Sequence, residues 1–117
     1  MNMVRKVLES MYDDSCSVVE LKKQKISGVV SPTEETVLED LPCKLSFSFA
    51  SPAGQTDDAA SVSQEAKLFI APEIEIKSGS RIDVMHCGKK IRYTRSGISA
   101  VYETHQEIPL ELFQRWA

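Results

Sequence analysis

From residue 43 to residue 49 the chain alternates without a fault: Cys43, Leu45, Phe47 and Phe49 are apolar, and Lys44, Ser46 and Ser48 between them are polar. Successive side chains of an extended chain point to opposite faces, so this period of two gathers four apolar groups on one face. A strand with one apolar and one wet face belongs in an antiparallel sheet packed on one side.

Several further runs read the same way. Residues 15–24 are β-like through Val18, Val19 and Leu21, and their outer end, Lys22, Lys23, Gln24 and Lys25, is solvated. Gly28 and Ser31-Pro32 mark a turn region, with Glu34-Glu35 at a hairpin tip and Thr36-Val37-Leu38 on the return arm. Ser31, Pro32 and Glu34 also fit the opening of a helix, but Pro42 follows too soon for one. Residues 66–71 and 73–77 are two more strands, the second with Ile74 and Ile76 on one face. Ser78-Gly79-Ser80 is a turn. Residues 81–87 pair with 89–95 across a tight turn at Gly88, and Ser96-Gly97 precedes a run over 98–106. Residues 108–116 form a last edge strand or a short helical turn. Without long helical crossovers, the count of seven or eight short strands predicts a mainly β domain spanning 1–117, an antiparallel barrel or sandwich.

Two segments depart from this pattern. In residues 1–12, Val4, Val7, Leu8 and Met11 fall at i, i+3, i+4 and i+7, which predicts an amphipathic helix that Asn2 can cap. So short a helix is marginal alone in water, so its stripe is expected to dock on its own domain or on a neighbouring subunit. Val4, Leu8 and Met11 are therefore candidate interface residues, as are Phe113 and Trp116, which read as core plugs or interface anchors. Residues 50–64 hold almost nothing to bury. Ser51, Pro52, Gly54, Gln55, Asp57 and Asp58 belong to this stretch, which predicts a mobile excursion from the domain.

A chain of 117 residues fits one domain. Its formal charge of −3 gives no overall positive field toward nucleic acid or an anionic membrane. Cys16, Cys43 and Cys87 are an odd number at wide spacings and read as free thiols of a reducing compartment. No signal peptide or bilayer-spanning segment is legible, so a soluble cytoplasmic product is expected. Neither His86 nor His105 sits in a catalytic motif. His86 and Cys87 are adjacent, and alternation along a strand is expected to point them to opposite faces. Cys16, Cys43, His86 and Asp13 or Asp14 would have to converge from distant strands to hold zinc, so the two cysteines read as core. No catalytic residue, metal or cofactor is expected. Residues 89–95 are the densest basic stretch. Alternation puts Lys90, Arg92 and Thr94 on one face and Lys89, Ile91, Tyr93 and Arg95 on the other. A basic stripe flanked by an aromatic fits a single-stranded nucleic-acid-binding barrel, while the acidic total fits a solvated strand face.

Three segments, Leu41-Pro42-Cys43-Lys44-Leu45-Ser46-Phe47-Ser48, the run from Ala66 through Pro72, Ser78-Gly79-Ser80 and Arg81 to Val84, and the run from Ser99 through Tyr102 and His105 to Leu110, occur in this order. Together they resemble prophage proteins of the PBSX-like type, which are similar to the head-closure or head–tail joining proteins of long-tailed phages. The resemblance covers most of the chain from about residue 15. It implies a small β-barrel that is a monomer in isolation and forms a ring on assembly. In that family the ring links a portal or adaptor to the tail, in the virion and beside the packaged DNA, without reading its sequence. It also implies that the loop over 50–64 enters the channel, and that no membrane is involved. A tail terminator or completion protein is the neighbouring reading.

Overall fold

The faultless alternation lies in the last third of a 22-residue strand, and that strand organises the molecule. The structure, a computed structural model, describes residues 3–50 and 63–116. The elements are α1 (Met3–Glu9), β1 (Asp14–Ile26), β2 (Val29–Ala50), β3 (Ser63–Ile70), β4 (Arg81–His86), β5 (Lys89–Arg95), β6 (Ala100–Val101) and β7 (Gln106–Leu112). All strand pairings are antiparallel. Hydrogen bonding runs from β3 through β2, β1, β4 and β5 to β7, and β7 pairs back onto β3. Six strands thus close a ring, a small barrel, and β6 lies outside it on β7. Closure removes the open edges that a six-stranded sheet would otherwise leave.

Alternation fills the interior. Cys16 and Val18 of β1, Cys43 and Leu45 of β2, Leu68 and Ile70 of β3, Ile82 and Val84 of β4, Tyr93 of β5, and Ile108 and Leu110 of β7 are buried together. Ile76, from the connection between β3 and β4, joins them. That connection is not the strand expected over 73–77. Its carbonyls are taken by side chains instead: Gln106 Nε2 donates to Ala71 and Ile74, and Arg95 Nη1 donates to Ile76 at 2.8 Å. With its acceptors met this way, the segment needs no neighbouring strand.

The turn of the β1–β2 hairpin is Ser27-Gly28, with φ of 52° and 82°, the double positive φ of a type I′ connection. The expected turn region at Ser31-Pro32 and tip at Glu34-Glu35 therefore fall inside β2. Pro32 pairs with Lys23, and Glu34 with Leu21. Pro32 is tolerated because this part of β2 is bonded on one side only. Cys87-Gly88 repeats the geometry between β4 and β5, with φ of 51° and 78°. The run expected over 98–106 shrinks to the two residues of β6, and Ile98 is fully exposed. The C-terminal segment becomes β7, a strand bonded on both sides and not an edge. Pro109 lies within it. Its carbonyl accepts from the Ser96 N–H at 2.9 Å, so its nitrogen faces the same gap between β5 and β6, where no donor is required.

The helix differs from expectation. It spans seven residues, none of them buried. Leu8, half-buried, Tyr12 and the more exposed Met11 line a small apolar groove with Lys44, Ser46 and Phe69, while Val4 and Val7 are exposed. Arg5 fixes the helix through Glu9 at 2.8 Å and through Glu73 on the β3–β4 connection. Asn2 and residues 51–62, with the candidate loop positions Ser51, Pro52, Gly54, Gln55, Asp57 and Asp58, lie outside the described residues. Among the described residues, no helix is long and apolar enough to cross a membrane.

Candidate functional site

Three features on the barrel surface carry chemistry or contact area. The first is an arm. β1 pairs with β4 only over Ser15–Val19, and β2 pairs with β3 only from Lys44 onward. Residues 20–26 and 29–35 are therefore a two-stranded ribbon that leaves the barrel. Seven residues at ~3.3 Å each make it roughly 20 Å long. Its apolar groups are not covered: Val29 is 63% and Val30 60% exposed, at the tip. The ribbon leaves through two register shifts, between Cys16 and Val18 and between Val18 and Val19, each adding one residue to β2. Asp40 sits at the first of them with φ of 50°. Such bulges bend a strand and sharpen its twist, which is how β2 serves first the arm and then the barrel.

The second feature anchors that arm. A short ribbon is marginal in water without further packing. Arg81 at the start of β4 donates to Asp83 through Nε at 2.8 Å and Nη2 at 3.2 Å, and through Nη1 to Glu34 of the arm at 3.0 Å. Trp116 Nε1 donates to the same Glu34 oxygen at 3.0 Å. The rings of Phe113 and Trp116 meet edge to face at 5.0 Å, and the guanidinium lies 5.8 and 5.7 Å from their centres. These two aromatics are thus half-buried on the outer surface and outside the core cluster. The Trp116 and Arg81 hydrogen bonds hold the Glu34 carboxyl below its usual range, and the Asp83 and Glu34 carboxylates raise Arg81 further. Beside this node, Ser15, Ser17, Glu34, Thr36, Arg81 and Asp83 border a polar groove of about 510 Å³.

The third feature lies where β4 ends. Asp14 opens β1 with its side chain only 3% exposed. One carboxylate oxygen accepts the Leu45 N–H at 2.8 Å, and the other lies 2.8 Å from His86 Nδ1. His86 Nε2 lies 3.5 Å from Cys87 Sγ. The expectation that His86 and Cys87 diverge is overturned. Cys87 is in the turn at positive φ, and strand alternation does not govern its direction. Phe47 stands edge-on to the imidazole at 5.7 Å. The sequence offers Asp14 and His86 only as part of a zinc set with Cys16 and Cys43, and alternation sets the His86–Cys87 pair aside; the fold brings Asp14, His86 and Cys87 together without the two core cysteines.

Cys16 and Cys43 are buried side by side in the core, and contact with the Cys16 sulfur, followed by burial, raises the Cys43 thiol far above the usual range. His105 is packed between the rings of Phe69 and Tyr102 at 5.5 and 4.9 Å, with Nε2 3.0 Å from Glu107. Along β5 Lys90 and Arg92 are exposed, but Tyr93 is turned into the core. The basic stripe therefore has no flanking surface aromatic from this strand.

By its topology the molecule is a closed antiparallel β-barrel with a projecting hairpin arm. It is similar to the structure of the phage-like element PBSX protein xkdH from Bacillus subtilis, with a TM-score of 0.47 and 10% sequence identity, over 85% of this chain and 93% of that one. No protein-family model and no curated protein matches the sequence.

Proposed function

We propose that this protein is a structural subunit of a phage or prophage head–tail connector, a head-closure or head–tail joining protein without catalytic activity. The observation that carries the reading is the arm. A closed barrel has no free strand edge on which to build an assembly. This barrel instead sends out a twisted ribbon whose valine tip has no use within its own domain. The exposed side of α1, with Met3, Val4 and Val7, and the exposed Ile98, Val101 and Tyr102 supply further apolar surface elsewhere. A ring closed by head-to-tail contacts needs two different patches on each subunit, and these surfaces meet that need. The three ordered sequence segments point the same way.

Light scattering coupled to size-exclusion chromatography tests the proposal. The isolated chain is expected to run as a monomer and to enter a ring on mixing with the portal, adaptor or tail proteins encoded beside it. Failure to bind any of those neighbours would count decisively against the reading. Which neighbour it binds separates the head-closure role from that of a tail terminator.

A further inference from the structure

We propose that Cys87 is a thiol–disulfide exchange site, with His86 as its base and Asp14 as the positioning residue, accepting low-molecular-weight or protein disulfides. This is independent of the assembly role.

The geometry carries it. A carboxylate only accepts hydrogen bonds, so Asp14 fixes the proton of the imidazole on Nδ1, 2.8 Å away. That leaves Nε2 bare, and Nε2 is the atom that meets Cys87 Sγ at 3.5 Å. Asp14 is itself fixed, because its second oxygen accepts the Leu45 N–H from the neighbouring strand. A nucleophile within reach of a base, the base held by a third buried group, is the arrangement that activates weak nucleophiles. The groups facing the imidazole are Asp14 from β1, Cys87 from the turn and the Phe47 ring from β2, with Lys89 its partner across the β4–β5 hairpin. The turn at positive φ lifts Cys87 into solvent, where a disulfide can approach its sulfur in line without a cleft.

The step balances. The Cys87 thiol gives its proton to His86 Nε2, and the sulfur attacks one sulfur of the disulfide. The new S–S bond forms as the old one breaks, and the leaving thiolate takes the proton from His86. Cys87 ends oxidised as a mixed disulfide, and one thiol is released reduced. Cys16 and Cys43 do not compete, because both are buried.

The test uses 5,5′-dithiobis(2-nitrobenzoate) on the full-length folded chain. One equivalent of thionitrobenzoate is expected in a fast phase, lost in Cys87→Ser. Its rate at neutral pH is expected to exceed that of the thiols of the denatured chain by about a hundredfold, the low end of what a placed base contributes. It should fall toward acid in step with the His86 imidazole titration followed by NMR in the same sample. His86→Gln should remove the excess, and Asp14→Asn should reduce it and change the shape of the pH profile. If either variant does not fold, the folded-against-denatured comparison and the wild-type profile decide alone. A folded rate no greater than the denatured one, or a profile that ignores His86, overturns the proposal.

Discussion

Arg81 joins β4, the arm and the C-terminal aromatics through Asp83, Glu34, Phe113 and Trp116. Its side chain and that of Asp83 are both 8% exposed, and the pair is bidentate. Removing one member of a buried ion pair leaves the other without a counter-charge. Arg81→Ala is therefore expected to lower stability by about 3 kcal/mol, while the double replacement Arg81→Met with Asp83→Leu costs less than the single one. Urea titration of the two variants checks this non-additivity. Tyr12 is the opposite case. Among the described residues, its hydroxyl is the buried side-chain polar atom without a hydrogen-bond partner, and burial raises its ionisation above the ordinary phenol value. A lone buried hydroxyl contributes nothing that a hydrogen would not, so Tyr12→Phe is expected to leave the Tm unchanged or raise it by a few degrees, corresponding to about 1 kcal/mol. Thermal unfolding followed by circular dichroism decides.

The arm is the element whose behaviour should depend on pH. Its tie to the barrel is Glu34, ionised and held below its ordinary value of 4.5 by the Trp116 and Arg81 hydrogen bonds. A carboxyl whose folded value is depressed stabilises the folded state fully above its unfolded value. That contribution is lost as pH falls through the lower, folded value. Between pH 5 and 8 the anchor is therefore expected to be constant, and below about pH 4.5 it should loosen. The chain has one tryptophan, and it is the Glu34 partner, so its fluorescence reports the contact directly. An acid transition in Trp116 emission is expected in the wild type and should be absent from Glu34→Gln. The same transition persisting in that variant would place its origin elsewhere. At the other end of the hairpin, a Cβ on Gly28, at φ 82°, would meet no neighbouring atom, so Gly28→Ala is opposed by backbone strain alone.

At the scale of the molecule, barrel and arm are separable in energetic terms. Among the described residues, the buried side chains all lie on the ring of strands or on the connection through Ile76, and the described side chains of the ribbon beyond residue 20 add none. The Cα radius of gyration, 17.0 Å, exceeds the ~13 Å of a compact chain of this length, as a projecting element requires. Replacing residues 23–32 by Asn-Gly, which joins the Lys22–Thr33 pair and keeps Glu34, is expected to preserve the cooperative unfolding transition within a few degrees. On the connector reading, the shortened protein should no longer enter the ring. Calorimetry and light scattering on one preparation measure both outcomes.

Local chemistry determined much of this. Alternation over 43–49 placed Cys43 and Leu45 in the core, although Phe47 already escapes it at 37% exposure, where it stands over His86. Gly79 and Gly88 marked turns because positive φ is cheap only for glycine. The β4–β5 hairpin was legible because partners close in sequence need no knowledge of the rest of the chain. What sequence could not decide is whatever depends on distant partners. The Ser31-Pro32 turn failed because Pro32 is permitted on a ribbon edge, and residues 73–77 are no strand because Gln106 and Arg95 arrive to take the Ile74 and Ile76 carbonyls. Closure through β3 and β7, and the meeting of Asp14 with His86 and Cys87, join positions up to 72 residues apart. Side-chain period is a property of one strand, whereas the neighbour a strand meets is a property of the whole ring, so only the folded barrel assigns it.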